Sequence, residues 1–333
     1  MAKPVLSVRD LRVGFATRRG TLTAVDGVSF DIAAGEVLGV VGESGAGKSL
    51  TGAAVIGLLE PPGRILGGEV RLAAERIDTL SPEAMREVRG RRIGMVFQDP
   101  LTSLNPLYRI GDQIVETIRT HSSVSAGAAR QRAIALLQEV GIQGAEVRID
   151  SYPHELSGGM RQRVVLALAL CAAPELVIAD EPTTALDVSI QAQIIALLKR
   201  LCRERGTSVM LVTHDMGVIA EMADRVAVMY AGRIVEIGPL REVVLSPRHP
   251  YTRGLMAAIP PIAARAPRLA QIPGSMPRFS AMPAGCAYHP RCGQAFARCR
   301  RERPERMAVG SGVEAACWLY AETEAAVPSG AGE

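Results

Sequence analysis

Three observations predict an α/β fold for this 333-residue chain. Residues 37–59 read as a short apolar strand, a glycine loop (Gly42, Glu43, Ser44, Gly45, Ala46, Gly47, Lys48, Ser49) and a small-residue helix that continues from Leu50. Two later apolar runs, at 176–181 and 208–213, lead into polar residues: Asp180 and Glu181 end the first, and His214 follows the second. Between those runs, 188–205 carries Ile190, Ile194, Leu197, Leu198 and Leu201 at helical spacing. Strands apolar throughout, alternating with amphipathic helices, belong to a mainly parallel sheet covered on both faces.

The length allows one large α/β unit and something smaller, since single cores stop growing at roughly 250–300 residues. Net charge is only +4 and aromatic residues make up 4%. With neither a basic stripe nor a stacking platform, nucleic acid is not expected as a partner. The sequence has no run of about 18 apolar residues, the length a spanning helix needs. Residues 1–8 lack an apolar signal-peptide core and run into strand-like alternation, so a cytoplasmic chain is expected.

Residues 5–13, 22–32 and 37–41 are β-rich, parted by turns at 19–20 and 33–35. Phe15 ends the first run, where it either stacks on a base or joins the core. In the glycine loop, Gly42, Gly45 and Gly47 let the backbone turn its amides inward, and the helix start behind them favours an anion. Lys48 adds a point charge for the β/γ-phosphates and Ser49 a hydroxyl ligand for Mg²⁺. Because the chain has only three lysines, Lys3, Lys48 and Lys199, a chance G-x-x-x-x-G-K-S match is rare, and nucleotide binding follows.

Past a break at 61–63, residues 68–72 form a further strand, and Ser81 caps a helix with Pro82 at its first position. A strand at 93–97 delivers Gln98 to the sheet rim, where α/β folds place functional polar groups. Residues 110–141 turn helical, with a Ser/Gly/Ala-rich link at 122–129. Ser157, Gly158 and Gly159 then open a mostly apolar helix. They form either a second anion site or an ordinary capped core helix.

A strand ending in Asp180 beside the glycine-loop strand would hold Mg²⁺ through water. Glu181 would polarise a water for attack on the γ-phosphate, a task typically worth 10²- to 10⁴-fold in rate. His214 shares that rim and is expected to contact the γ-phosphate. Residues 225–237 give two strands about the turn Ala231-Gly232, and prolines become frequent after Gly238. Short helices remain possible to about 258; 261–320 is expected to be loop-rich and 321–333 disordered.

In order and spacing, the glycine loop, Gln98, the run Leu156-Ser157-Gly158-Gly159, the Asp180-Glu181 strand, Ala185-Leu186-Asp187 and His214 resemble the ATP-binding subunits of ABC transporters over about residues 5–260. The resemblance implies a P-loop NTPase of the ABC ATPase type at 1–260, with an antiparallel β subdomain and a helical subdomain at about 99–172. It also implies a head-to-tail dimer in which Ser157 and Gly159 contact a nucleotide bound to the other subunit. Phe15 matches the adenine-stacking aromatic, and Asp187 a residue that couples the two sites. Gln98 falls where the family senses Mg²⁺ or the attacking water and connects to the membrane subunits. Met160 departs from the glutamine that many members carry.

The run Ser246-Pro247-Arg248-His249-Pro250-Tyr251-Thr252, the Ile272-Pro273-Gly274 turn and a late cysteine block look like the C-terminal extension of oligopeptide/dipeptide and nickel importer ATPases. This implies an ATPase energising import of di- or oligopeptides, of nickel or of an opine. A soluble ABC ATPase without a permease is the alternative. The implied assembly has a second, similar ATPase (a heterodimer), two membrane permeases and an extracytoplasmic solute-binding protein, with this chain peripheral at the cytoplasmic face of the inner membrane.

Of the six cysteines, Cys286, Cys292, Cys299 and Cys317 lie in the last 48 residues, separated by five, six and seventeen residues. Four thiolates can hold a [4Fe–4S] cluster or a structural zinc. Zinc sites more often show a C-x-x-C knuckle, which is missing; the wide spacings suit a cluster, which the importer resemblance also implies, and four ordinary thiols are the third reading. Cys171 and Cys202 sit in helices at core positions.

Overall fold

The computed structural model describes residues 3–18, 20–184, 186–259 and 271–321, and of Leu101 only the backbone. Its strands, in chain order, are β1 (Leu6–Thr17), β2 (Gly20–Ile32), β3 (Val37–Val41), β4 (Gly63–Leu72), β5 (Glu75–Arg76), β6 (Ile93–Val96), β7 (Leu176–Asp180), β8 (Ser208–Val212), β9 (Arg225–Tyr230), β10 (Arg233–Pro239), β11 (Met307–Ala308) and β12 (Glu314–Ala315). They form two sheets, an antiparallel one in the order β2-β1-β4-β5 and a larger one in the order β11-β12-β10-β9-β3-β8-β7-β6. From β9 to β6 the larger sheet is parallel.

Side-chain alternation in the parallel strands divides the interior in two. Val177, Ala179, Val209 and Leu211 face the helices Ile110–His121, Ala126–Glu139, Gly158–Leu170 and Val188–Arg205. Ile178, Met210, Val212, Leu38 and Val40 face the other way, toward the helix Lys48–Val55 and the apolar side of the antiparallel sheet. The strand β3 is buried along its whole length, so the loop that follows it is held by a rigid support.

Helices Ile110–His121 and Ala126–Glu139 lie between β6 and β7, and the link between these two is shorter than the sequence indicates. Ser125 accepts a hydrogen bond from the Ala128 amide and starts a helix at Ala126, because a serine cap outweighs the local Ser/Gly/Ala composition. Ser81 caps its helix as predicted, with Pro82 in the first turn. The C-terminal extension is loop-rich but not separate. Its strand β12 pairs with β10 and lengthens the main sheet, and Val313 and Ala315 are buried there. The expected disordered tail lies, from residue 322 onward, outside the described residues, as does 261–270 of the extension.

Candidate active site

The glycine loop leaves β3 in backbone conformations that suit glycine. Gly42, Gly45 and Gly47 have φ of 154°, 80° and 98°, and a Cβ on Gly42 would lie 2.3 Å from the Met229 carbonyl oxygen. Gly47 caps the helix Lys48–Val55, which aims free amides at the loop's interior. Lys48 is buried, and its Nζ donates to the carbonyls of Gly42 at 2.8 Å and Glu43 at 3.1 Å. Burial lowers its pKa, against the pull of Glu181, Asp180 and Glu43. A desolvated ammonium curled over a ring of amides is poised for an anion.

Side by side, β3, β8, β7 and β6 bring their C-terminal ends to one rim. There the Ser49 hydroxyl donates to Asp180 Oδ1 at 2.9 Å. Burial raises the Asp180 pKa, and the bond from Ser49 opposes that rise. A hydroxyl beside a carboxylate is a hard-oxygen donor pair that fits Mg²⁺. Gln98, expected where Mg²⁺ or the attacking water is sensed, donates from Nε2 to Glu181 Oε2 at 2.9 Å.

Glu181 is the most constrained side chain of the group. His214 Nδ1 lies 3.0 Å from its Oε1, and the Thr184 hydroxyl donates to Oε2 at 2.9 Å. Burial pushes its pKa up, but the bonds from His214 and Thr184, with the nearby charge of Lys48, together bring it below the usual value. The residue follows β7 at φ 46°, left-handed backbone that costs a non-glycine residue on the order of 1 kcal/mol or more. A base kept ionised and held at both oxygens can accept a proton in a fixed direction. Thr184 escaped the sequence reading, because a threonine in a loop carries no spacing signal of its own.

Ser157 caps the helix Gly158–Leu170, its Oγ accepting from the Met160 amide at 3.4 Å, and Ser157 and Gly158 are exposed. Gly159 packs against Ile190 and Gly158 against Leu186, so the helix start rests on the segment around Asp187, itself exposed. Phe15 is half-buried in β1, opposite Leu22 of β2 and Gly63 of β4.

Cys286, Cys292, Cys299 and Cys317 line one small cavity, together with His249, His289 and Trp318. All four are free, and burial raises the pKa of Cys286, of Cys292 and, to about 11, of Cys317. Among the described residues, no group of three or more His, Cys, Asp or Glu is gathered closely enough to hold a metal ion. That finding supports neither the zinc nor the iron–sulfur reading of the four cysteines.

The profile of the ABC transporter family matches residues 25–184, and that of the oligopeptide/dipeptide transporter C-terminal region matches 235–299. The chain is 45% identical to the oligopeptide transport ATP-binding protein AppD of Bacillus subtilis (strain 168), covering 96% of this chain and 97% of that one. It belongs to the ATP-binding subunits of ABC transporters. This ABC subunit is likewise 44% identical to the dipeptide transport ATP-binding protein DppD of Escherichia coli (strain K12), over 94% and 96% of the two chains. Its fold matches the dimeric post-hydrolysis structure of the ATP-binding cassette MJ0796, bound to ADP and Pi, with a TM-score of 0.64, at 28% identity, over 71% of this chain and 99% of that one. As an ABC subunit it is an ATPase that binds ATP with Mg²⁺, and among its described residues no helix is long and apolar enough to cross a membrane.

Proposed function

We propose that this ATPase drives the import of oligopeptides or dipeptides. The reading is carried by one observation: similarity to peptide transport ATP-binding proteins runs through the C-terminal extension as well as the ATPase core. The amides of residues 42–50 and Lys48 bind the phosphates, and Phe15 stacks on the adenine. Ser49 and Asp180 hold Mg²⁺, which neutralises charge on the β- and γ-phosphates when bound.

Glu181 takes a proton from the attacking water; the water oxygen bonds to the γ-phosphorus, the bond to the bridging oxygen breaks, and ADP departs. Gln98 and Thr184 hold the base from one side. His214, engaged at Nδ1, keeps Nε2 for the γ-phosphate. Ser157, Gly158 and Gly159 cover a nucleotide bound to a second, homologous ATPase, and Asp187 couples the two sites. Exposed Leu107 and Tyr108 of the helical insertion, 80% and 57% accessible, face two permeases at the cytoplasmic side of the membrane. An extracytoplasmic solute-binding protein supplies the peptide.

The four cysteines hold a [4Fe–4S] cluster that staples the extension. Their convergence on one cavity supports this reading. Anaerobic purification should give a brown protein with about four irons per chain; iron-free protein with an intact extension would rule the cluster out. For transport, proteoliposomes holding the ATPases, permeases and binding protein should accumulate labelled peptide only with ATP inside the cytoplasmic compartment. Uptake of another solute class with peptide ignored would reassign the substrate.

A further inference from the structure

The second residue of the phosphate loop is a carboxylate, the wrong sign for a site that receives polyphosphate. Two side chains from late in the chain grip it. The Glu43 amide donates to the Tyr251 hydroxyl at 2.9 Å, and both Glu43 carboxylate oxygens lie 3.1 Å from Nη1 of Arg291. The Arg291 side chain is only 6% exposed. Its Nε donates to the Pro273 carbonyl at 2.7 Å, and its guanidinium lies 5.8 Å from the Tyr230 ring centre and 6.0 Å from that of Tyr288. Fixed by burial and always charged, it cannot swing out to solvent or lose its proton.

Lys48 shows what this arrangement protects. Its ammonium feels the attraction of Glu43 and donates to the Glu43 carbonyl. Left unpaired, the Glu43 carboxylate would compete with phosphate for Lys48 and repel the incoming anion.

We propose that Arg291 of the C-terminal extension is a positioning residue for the phosphate loop: by neutralising and holding Glu43 it sets the affinity for ATP. The extension thereby completes the nucleotide site from a distance of 248 residues in sequence. The inference rests on the reading of residues 42–50 as the phosphate cradle.

The test is ATP affinity of the full-length chain and the KM–kcat split in the assembled complex, with a second substitution that reverses the first. Arg291→Gln should raise the Kd and KM for ATP about tenfold, the scale of one uncompensated charge near the site, and leave kcat within about twofold. Adding Glu43→Gln removes the charge that Arg291 neutralises, and should bring Kd back to within about threefold of wild type. A general loss of packing would not be rescued this way. An unchanged Kd in Arg291→Gln, or a double variant as weak as the single one, overturns the proposal. Should Arg291→Gln not fold, Glu43→Gln alone carries the test: it leaves the Arg291 charge unopposed beside the cradle, so ATP affinity tighter than wild type is expected, and affinity equal to wild type or weaker refutes the proposal. Lys48→Ala serves as the reference for the cradle itself. If it still binds ATP normally, the cradle reading has failed and the Arg291 proposal falls with it; if it does not, the Arg291 arms stand on their own.

Discussion

Glu181 owes its orientation to neighbours on other strands, with Gln98 beyond β6 and His214 beyond β8 meeting it from either side. Glu181→Gln keeps the shape and a hydrogen-bonding group but removes the proton acceptor. ATP binding should persist while turnover in the assembled complex drops by about 10²- to 10⁴-fold; hydrolysis near the wild-type rate would remove Glu181 from the role of base. The residues of this group that a sequence reveals are those with a strand or a motif behind them. Lys48 and Ser49 stand in a spaced pattern, and Asp180, Glu181 and His214 follow apolar runs. Thr184 and Arg291 have neither, since each owes its place to a contact made across the fold.

At the scale of elements, the helix Gly158–Leu170 shows two separable roles for one residue. Ser157 caps its first turn, and losing such a cap costs about 1 kcal/mol. Ser157→Ala should therefore lower the thermal midpoint of the isolated chain slightly. If the exposed helix start also covers a nucleotide in trans, the same substitution should depress ATPase activity in the assembled complex well beyond what that stability loss explains. Equal, small effects in both assays would leave Ser157 a cap and nothing more. The strands and most helices were legible from periodicity, because burial on both faces leaves unbroken apolar runs at β3, β7 and β8. The pairing of β12 with β10 was not. A two-residue strand is too short to show a period.

For the whole molecule, Asp26 joins three parts. Lying on β2 of the antiparallel sheet, it accepts from Arg233 of β10 at 3.0 Å and from Arg303 of the extension at 2.7 Å. Burial pushes the Asp26 pKa up, but Arg233 and Arg303 outweigh it and hold the carboxyl below its ordinary value. A depressed carboxyl stabilises the fold above its unfolded value and loses that contribution as pH falls through the folded one. Asp26→Asn should accordingly cost about 1–3 kcal/mol at pH 7, and its thermal midpoint should converge with that of wild type as falling pH protonates the Asp26 carboxyl. A gap independent of pH would assign the loss to packing instead of charge.

The order of the main sheet also governs how the chain is made. Its central strand β3 is complete at Val41, yet its two neighbours are β8, ending at Val212, and β9, ending at Tyr230. At a translation rate of about 5–20 residues per second, the phosphate loop waits on the order of 10–40 s for the strands that flank it. Throughout that interval an all-apolar segment stands without its partners, and nucleotide can assist folding only once residues up to Tyr230 have been made.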